Sequence, residues 1–189
     1  MDIREQKKEI RKAVRAIKNS TPQEDRNSRS LAIQKSLISM GVFEEPQTIL
    51  LYHALPDEVN TDYLLNTLSN RRNGTKRIIL PVVEGEYLIL KEYIPEEMET
   101  GYRNISEPTG TVQIDPSQIE FAVIPGVAFD SGCNRMGRGK GFYDRLLPYL
   151  NCTTVGLGFD FQIVEKIPCE IFDKPLDMVI TETEIYKRG

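Results

Sequence analysis

Ile119–Leu150 reads IEFAVIPGVAFDSGCNRMGRGKGFYDRLLPYL, and the rest of the chain is best read outward from it. The apolar run Phe121-Ala122-Val123-Ile124, closed by Pro125-Gly126, predicts a short strand buried on both faces, as in a parallel sheet covered by helices. Tyr143, Leu146, Leu147 and Leu150 recur at helical spacing and predict a helix. Between them lie Gly132, Gly137, Gly139 and Gly141, interleaved with Arg135, Arg138 and Lys140. Glycine admits left-handed backbone and lets a bulky ligand approach the main chain without meeting a Cβ. Converging N–H groups and the start of a helix then form an anion-binding hollow, and the three cations add charge-assisted donors that suit phosphate oxygens. The expected occupant is a polyphosphate. Asp144, just inside the helix, is placed to hold Mg²⁺, which takes one or two protein carboxylates together with phosphate oxygens. The bland alternative is a turn-rich connection with solvated charges.

Generic phosphate motifs do not fit. Gly132 to Gly137 has P-loop spacing, but Arg138-Gly139 stands where Lys-Ser/Thr is required, and Gly137-Arg138-Gly139-Lys140-Gly141 is not GxGxxG. The net charge of −4 over 189 residues argues against general nucleic-acid binding. Within residues 130–145 the balance reverses, with Arg135, Arg138, Lys140 and Arg145 against Asp130 and Asp144, so the basicity is focused. Three scattered cysteines and one histidine suit neither a disulfide framework nor a zinc site. No apolar run approaches the length of a membrane span, so the expectation is a cytoplasmic protein without membrane or nucleic-acid partners.

Pro125-Gly126-Val127-Ala128-Phe129-Asp130, Gly132, and Arg135 through Asp144 resemble the signature of the 5-formyltetrahydrofolate cyclo-ligase family. The match is dense and contiguous. Met136 stands where the family usually has Leu, and Phe142 where it has Tyr, which removes a hydroxyl. The resemblance implies that Arg135, Met136, Gly137, Arg138, Gly139, Lys140, Gly141, Phe142 and Tyr143 bind ATP, with Lys140 and Arg138 catalytic.

Residues 3–18 are expected to form a helix with the stripe Ile10, Ala13, Val14 and Ile17. Lys7 and Arg11 border that stripe, while Lys8, Lys12 and Arg15 point outward. On composition these are solvated charges; the resemblance instead makes Lys7 and Arg11, spaced as the family's Lys-x3-Arg pair, nucleotide contacts. Thr21-Pro22-Gln23-Glu24 has the form of a capping box and starts a second helix, ended by Gly41 and packing through Ile33, Leu37 and Met40. Thr48–Leu55 reads as a buried strand, and a helix from about Asp62 to Arg72 follows. Glu58 lies in the turn between them. By itself it is as readily a solvated loop acid; the resemblance makes Glu58, with Val59 and Thr61, the folate-contacting element. His53, at the strand's end, is expected to line the same pocket, although a lone strand histidine is also an ordinary structural residue.

Lys76–Val83 and Glu86–Tyr93 read as a hairpin around Glu84-Gly85. Residues 94–115 lack periodicity and read as a long loop, in which Tyr102 offers a stacking surface for a flat heterocycle. Thr154–Phe159 and Asp177–Thr181 supply further strands. Between them Asp173 is an ordinary loop acid, except that Pro168 to Asp173 resembles the family's magnesium-holding element.

Alternating strands and helices predict one α/β domain over 1–189, a three-layer α/β/α sandwich with a mainly parallel sheet. The implied reaction is ATP- and Mg²⁺-dependent closure of 5-formyltetrahydrofolate to 5,10-methenyltetrahydrofolate, with release of ADP and phosphate. His53, Glu58, Tyr102, Arg138 and Phe142 are then the folate-side residues, and Asp144 and Asp173 the metal ligands. The expected partners are ATP and a reduced folate, and the expected assembly a monomer or weak homodimer. Two rivals stay open on the residues alone: a small-molecule kinase, and a non-catalytic module that senses a nucleotide or phosphorylated metabolite.

Overall fold

The computed structural model describes residues 2–69, 76–101, 106–110, 112–170 and 173–189. Its elements, in order, are α1 (Ile3–Ser20), α2 (Gln23–Ser39), β1 (Thr48–Leu50), α3 (Asp62–Ser69), β2 (Arg77–Glu84), β3 (Tyr87–Glu92), β4 (Met98–Thr100), β5 (Ser106–Pro108), β6 (Phe121–Pro125), β7 (Ala128–Asp130), β8 (Arg135–Met136), α4 (Phe142–Leu146), β9 (Thr153–Leu157), β10 (Ile163–Val164), β11 (Met178–Ile180) and β12 (Ile185–Lys187). Seven strands form the main sheet in the order β12-β11-β9-β6-β1-β2-β3. Pairing from β11 to β2 is parallel throughout, and β12 and β3 close the edges antiparallel.

β6 explains why its sequence is apolar at every position. It pairs with β1 on one side and β9 on the other, and all five of its residues are buried. Phe121 and Val123 face a core layer shared with Ile33, Leu37, Leu64 and Leu68 of α2 and α3. Ala122 and Ile124 face the opposite layer, where Leu146, Leu147, Leu150 and Phe129 close the sandwich. Three glycines make room for the Phe129 ring: a Cβ on Gly126, Gly156 or Gly158 would lie 2.4, 2.7 or 2.9 Å from it.

Order in the sheet places the site. From β1 the chain proceeds to β2 on one side, whereas β6, β9 and β11 lie on the other, so the β1/β6 junction is the topological switch point where open α/β sheets place ligands. The Leu51–Thr61 turn leaves β1 there, and the glycine-rich segment leaves β6 beside it.

Several local expectations change. The segment from Pro125 to Gly141 is not one loop, because β7 and β8 pair antiparallel within it and β10 adds to them. Residues 94–115 contain the β4–β5 ribbon. β1 stops at Leu50, α4 is only five residues long and is followed by a 3-10 turn at Leu147–Tyr149, and β12 was not anticipated. The expected continuation of α3 past Ser69 to Arg72 lies outside the described residues. The capping box does not form: Thr21 donates its hydroxyl back to Ile17 O at 2.9 Å, closing α1 instead, and Pro22 occupies the N-cap.

α1 turns a different face inward from the one its apolar spacing indicates. Ala13 is exposed and Ile17 is 46% exposed, whereas Lys7, Ile10, Arg11, Val14 and Lys18 share the inner side. The reason is where the helix docks. Its apolar footprint is narrow, Val14 and Ile10 against Ala128 and Met136 on the small β7–β8 sheet and Ile167 beyond β10, and the flanking inward positions can therefore be cations at the edge of a cleft.

Candidate functional site

A cleft of about 930 Å³, counting its solvent-open part, lies at the switch point. One wall comes from the β1 turn, with Tyr52, His53 and Glu58; the other comes from Gly137, Arg138, Lys140, Gly141 and Phe142. An apolar floor is built by Pro81, Val83 and Leu88 of the hairpin together with Val127. An apolar pocket with a few convergent polar groups is the form expected of a small-molecule site.

Glu58 is held by its own turn. Its backbone N–H donates to Leu55 O at 2.9 Å, and its Oε2 accepts from Leu55 N at 3.1 Å. Oε1 accepts from Arg138 Nε and Nη2 at 3.1 and 3.0 Å. Tyr52 donates to Val59 O at 2.8 Å, and the Thr61 hydroxyl to Tyr52 O at 2.5 Å, which ties the turn to the end of β1. His53 also lines the cleft; its Nδ1 donates to Ser106 O at 3.1 Å, which joins the β1 turn to the β4–β5 ribbon. Tyr102 lies outside the described residues.

The glycine-rich wall is fixed from behind. Asp130, 3% exposed, accepts from the backbone N–H groups of Gly132, Asn134 and Ile167 at 3.0, 3.0 and 2.9 Å. The turn it closes contains Cys133 in the left-handed region, φ 61°. Arg145 donates to Lys140 O and Glu86 O, which pins the far end of the wall to the β2–β3 turn. Gly139 and Gly141 then adopt φ 95° and 71°, a backbone that favours glycine.

The cations have different situations. Lys140 is exposed on the cleft wall, and its ammonium has no ion pair among the described residues. Arg138 bridges the two walls, paired with both Asp57 and Glu58. Burial would depress its guanidinium pKa, yet the two carboxylates outweigh that and raise it. Arg135 is buried, donating to Asp144 and, at 3.2 Å, to Pro125 O; its Nε has no partner among the described residues, and the guanidinium lies 5.5 Å from the Tyr143 ring. The Tyr143 phenol is pushed far above its ordinary pKa, chiefly by burial. Phe142 presents its ring to the cleft with Arg145 behind it at 5.7 Å.

The other expected residues are placed as follows. The Met136 side chain is 2% exposed and packs in the α1 contact. Lys7 does not line the cleft: its ammonium is held by Asp173 at 2.8 Å and Glu170 at 3.3 Å. Asp173 is thereby committed to a cation, and it is Asp144 alone of the expected metal pair that lines the cleft. Among the described residues no cluster of three or more His, Cys, Asp or Glu is arranged for a metal. Arg11 does reach the wall, donating to Gly137 O at 3.0 Å. Arg15 is exposed, as expected, and stands at the rim of a second hollow.

Folding also sets how the Asp57–Arg138 clamp responds to acid. Burial pushes the Asp57 carboxyl up, but the Arg138 hydrogen bond and the Lys18 charge overcome this and hold it below its ordinary value. The clamp therefore contributes stability that is complete above the usual aspartate range and is lost as pH falls through the lower folded value. The Asp57 carboxyl carbon shift, followed by NMR during acid titration, is expected to give a midpoint below that of an unstructured aspartate; one at or above it contradicts the pairing.

Comparison with known proteins identifies the family. A sequence model of the 5-formyltetrahydrofolate cyclo-ligase family matches residues 3–182. The 5-formyltetrahydrofolate cyclo-ligase of Escherichia coli (strain K12) is 33% identical over 149 residues, covering 74% of this chain and 80% of that protein. That of Haemophilus influenzae is 28% identical over 181 residues, with 91% and 95% covered. The NMR structure of Aquifex aeolicus 5,10-methenyltetrahydrofolate synthetase superposes with a TM-score of 0.84 at 32% identity, over 96% of this chain and 92% of that one. With a family-wide match spanning nearly the whole chain, and a switch-point cleft built by the residues that carry the signature, this chain belongs to the 5-formyltetrahydrofolate cyclo-ligase family and is a ligase.

Proposed function

We propose that the chain closes 5-formyltetrahydrofolate to 5,10-methenyltetrahydrofolate at the expense of ATP, releasing ADP and phosphate. The observation that carries this reading is that Glu58 and the glycine-rich wall face each other across one cleft, with Arg138 spanning it. A formyl oxygen on nitrogen is a poor nucleophile and cannot leave as oxide. Once it receives the γ-phosphoryl group, the P–O bond to ADP is broken and an O–P bond to the formyl oxygen is formed. N10 then attacks the formyl carbon, loses its proton, and the oxygen departs within phosphate.

Such chemistry asks a protein for positioning and charge stabilisation rather than for a covalent nucleophile. Glu58, already aimed into the cleft, accepts hydrogen bonds from the N–H edge of the pterin. The apolar floor holds the ring. On loading, Arg138 leaves Glu58 for the phosphates, so each ligand takes one half of the pair. Lys140 neutralises charge on the transferring phosphoryl group, and the N–H groups around Gly139 and Gly141 hold the triphosphate. Arg11 supports the loop through Gly137 O. Mg²⁺, when bound, would supply neutralisation of the phosphate charge. Asp144 is the side chain that would hold it, since a single hard carboxylate beside phosphates suits that ion; Arg135 would have to share Asp144 with it.

A spectrophotometric assay for the methenyl product, run with and without ATP and Mg²⁺, tests the reading. The expected result is product only when both are present, with one ADP per methenyl group. A stable phosphorylated product would instead indicate a kinase, and tight ATP binding without ADP release in the presence of folate would indicate a binding module.

A further inference from the structure

One guanidinium that the chemistry proposed above does not use ties the glycine-rich wall to the hairpin beneath the cleft. Arg145 stands on α4, four residues after Gly141, and its backbone N–H donates to Gly141 O at 3.0 Å. Helical side chains lean back toward the helix N-terminus, so the side chain returns to the loop it follows. Its Nη2 donates to Lys140 O at 2.9 Å. Its Nε donates to Glu86 O on the β2–β3 turn at 2.9 Å, and Nη2 reaches the same oxygen. The guanidinium lies 5.6 Å from the Tyr87 ring and 5.7 Å from the Phe142 ring, within cation–π range of both. Gly141 admits it: a Cβ there would lie 2.7 Å from Nη1. Among the described residues Arg145 has no ion pair, so its setting is two carbonyls and two rings. A flat, forked donor suits that setting and an ammonium does not.

The four contacts come from both sides of the cleft. Glu86 and Tyr87 belong to the hairpin whose Pro81, Val83 and Leu88 form the apolar floor, whereas Lys140 and Phe142 belong to the phosphate wall. We infer that Arg145 is a positioning residue for phosphoryl transfer, which sets the wall that holds the phosphates at a fixed distance from the floor that holds the pterin. The inference rests on the function proposed above. Arg145 does not line the cleft, so each ligand keeps its own contacts when Arg145 is removed, and what is lost is the register between the two. The other supports of the wall act further back along it, Arg11 at Gly137 O and the Asp130 carboxylate at Gly132 and Asn134. Arg145 supplies the polar tie at the end that carries Lys140. Transfer from ATP to a formyl oxygen needs two groups held by different elements to meet, and a misplacement of about 1 Å in such a pair costs on the order of 10²-fold.

The test is the steady-state kinetics of methenyl formation by wild type, Arg145→Ala and Arg145→Lys. Each protein is also titrated calorimetrically with 5-formyltetrahydrofolate alone and with a non-hydrolysable ATP analogue and Mg²⁺, and its urea midpoint is recorded. Arg145→Ala is expected to lose kcat by about 10–10²-fold, while both dissociation constants stay within about threefold of wild type. Arg145→Lys, whose ammonium can reach a carbonyl but cannot lie flat between the rings, is expected to fall between the two. This split between kcat and binding separates a positioning role from a general loss of structure, which would weaken both ligands and lower the urea midpoint together. If Arg145→Ala does not fold, the split is read from Arg145→Lys. A kcat within about twofold of wild type in the folded variants overturns the inference, as does a loss of kcat matched by an equal loss of affinity for either ligand. Wild type that forms no methenyl product overturns the proposed function, and this inference with it.

Discussion

Lys140→Ala is expected to keep its fold and lose turnover by about 10²–10³-fold, the usual effect of removing one preorganised electrostatic group from a transition state. The fold should survive because Lys140 is exposed and its side chain packs against nothing that the core needs. What holds Lys140 in place is its backbone carbonyl, which accepts from Arg145 at 2.9 Å and is untouched by the substitution. Turnover should fail because, among the described residues, Lys140 has no ion pair to give up before it meets a ligand, whereas Arg135 is committed to Asp144 and Pro125 O and Arg138 must first leave Glu58. The check is kcat for the methenyl product alongside the urea midpoint of each protein. Near-normal kcat would remove Lys140 from the mechanism.

Asp130→Ala is expected to do the opposite, destabilising the protein by about 4 kcal/mol while touching no residue of the cleft directly. The carboxylate accepts from three backbone N–H groups and from the Asn134 amide. Of the backbone donors, Ile167 N lies in a buried setting where water cannot replace the lost acceptor. Since small proteins retain only about 5–15 kcal/mol in total, a loss of that size would be plain in a urea unfolding curve. Asp130→Asn, which keeps the shape and one acceptor oxygen, should recover part of the loss. A midpoint shift worth less than about 1 kcal/mol for the alanine variant would mean that the turn at Gly132–Asn134 is held by other contacts.

The sheet was legible in the sequence because its strands are buried on both faces and so carry unbroken apolar runs, as at Phe121–Ile124 and Ile49–Leu51. Short elements whose pairing depends on distant partners left no such mark. β7 and β8 have three and two residues, too few for any periodicity, and their pairing depends on the turn that Asp130 closes. Asp130 had a signal that went unread: an aspartate two residues before a glycine favours a side-chain-capped turn. The inner face of α1 was misjudged for a different reason. A helix that docks on a small sheet at the edge of a cleft buries cations beside a few apolar residues, and Lys18 lies on that inner side where a stripe of apolar residues points to Ile17. Arg145, which anchors the loop to Glu86 and Lys140, was counted only as local charge, because its partner on the β2–β3 turn is 59 residues away.

In the function proposed above, the glycine-rich wall closes around a nucleotide's phosphates beside the pterin site. The most direct measurement is the set of backbone amide resonances of Gly137, Gly139 and Gly141 in isotope-labelled protein titrated with Mg²⁺ and a non-hydrolysable ATP analogue. All three are expected to shift together and saturate with a single affinity. If they stay in place while resonances elsewhere report a bound nucleotide, the phosphates are held somewhere else and the account is contradicted.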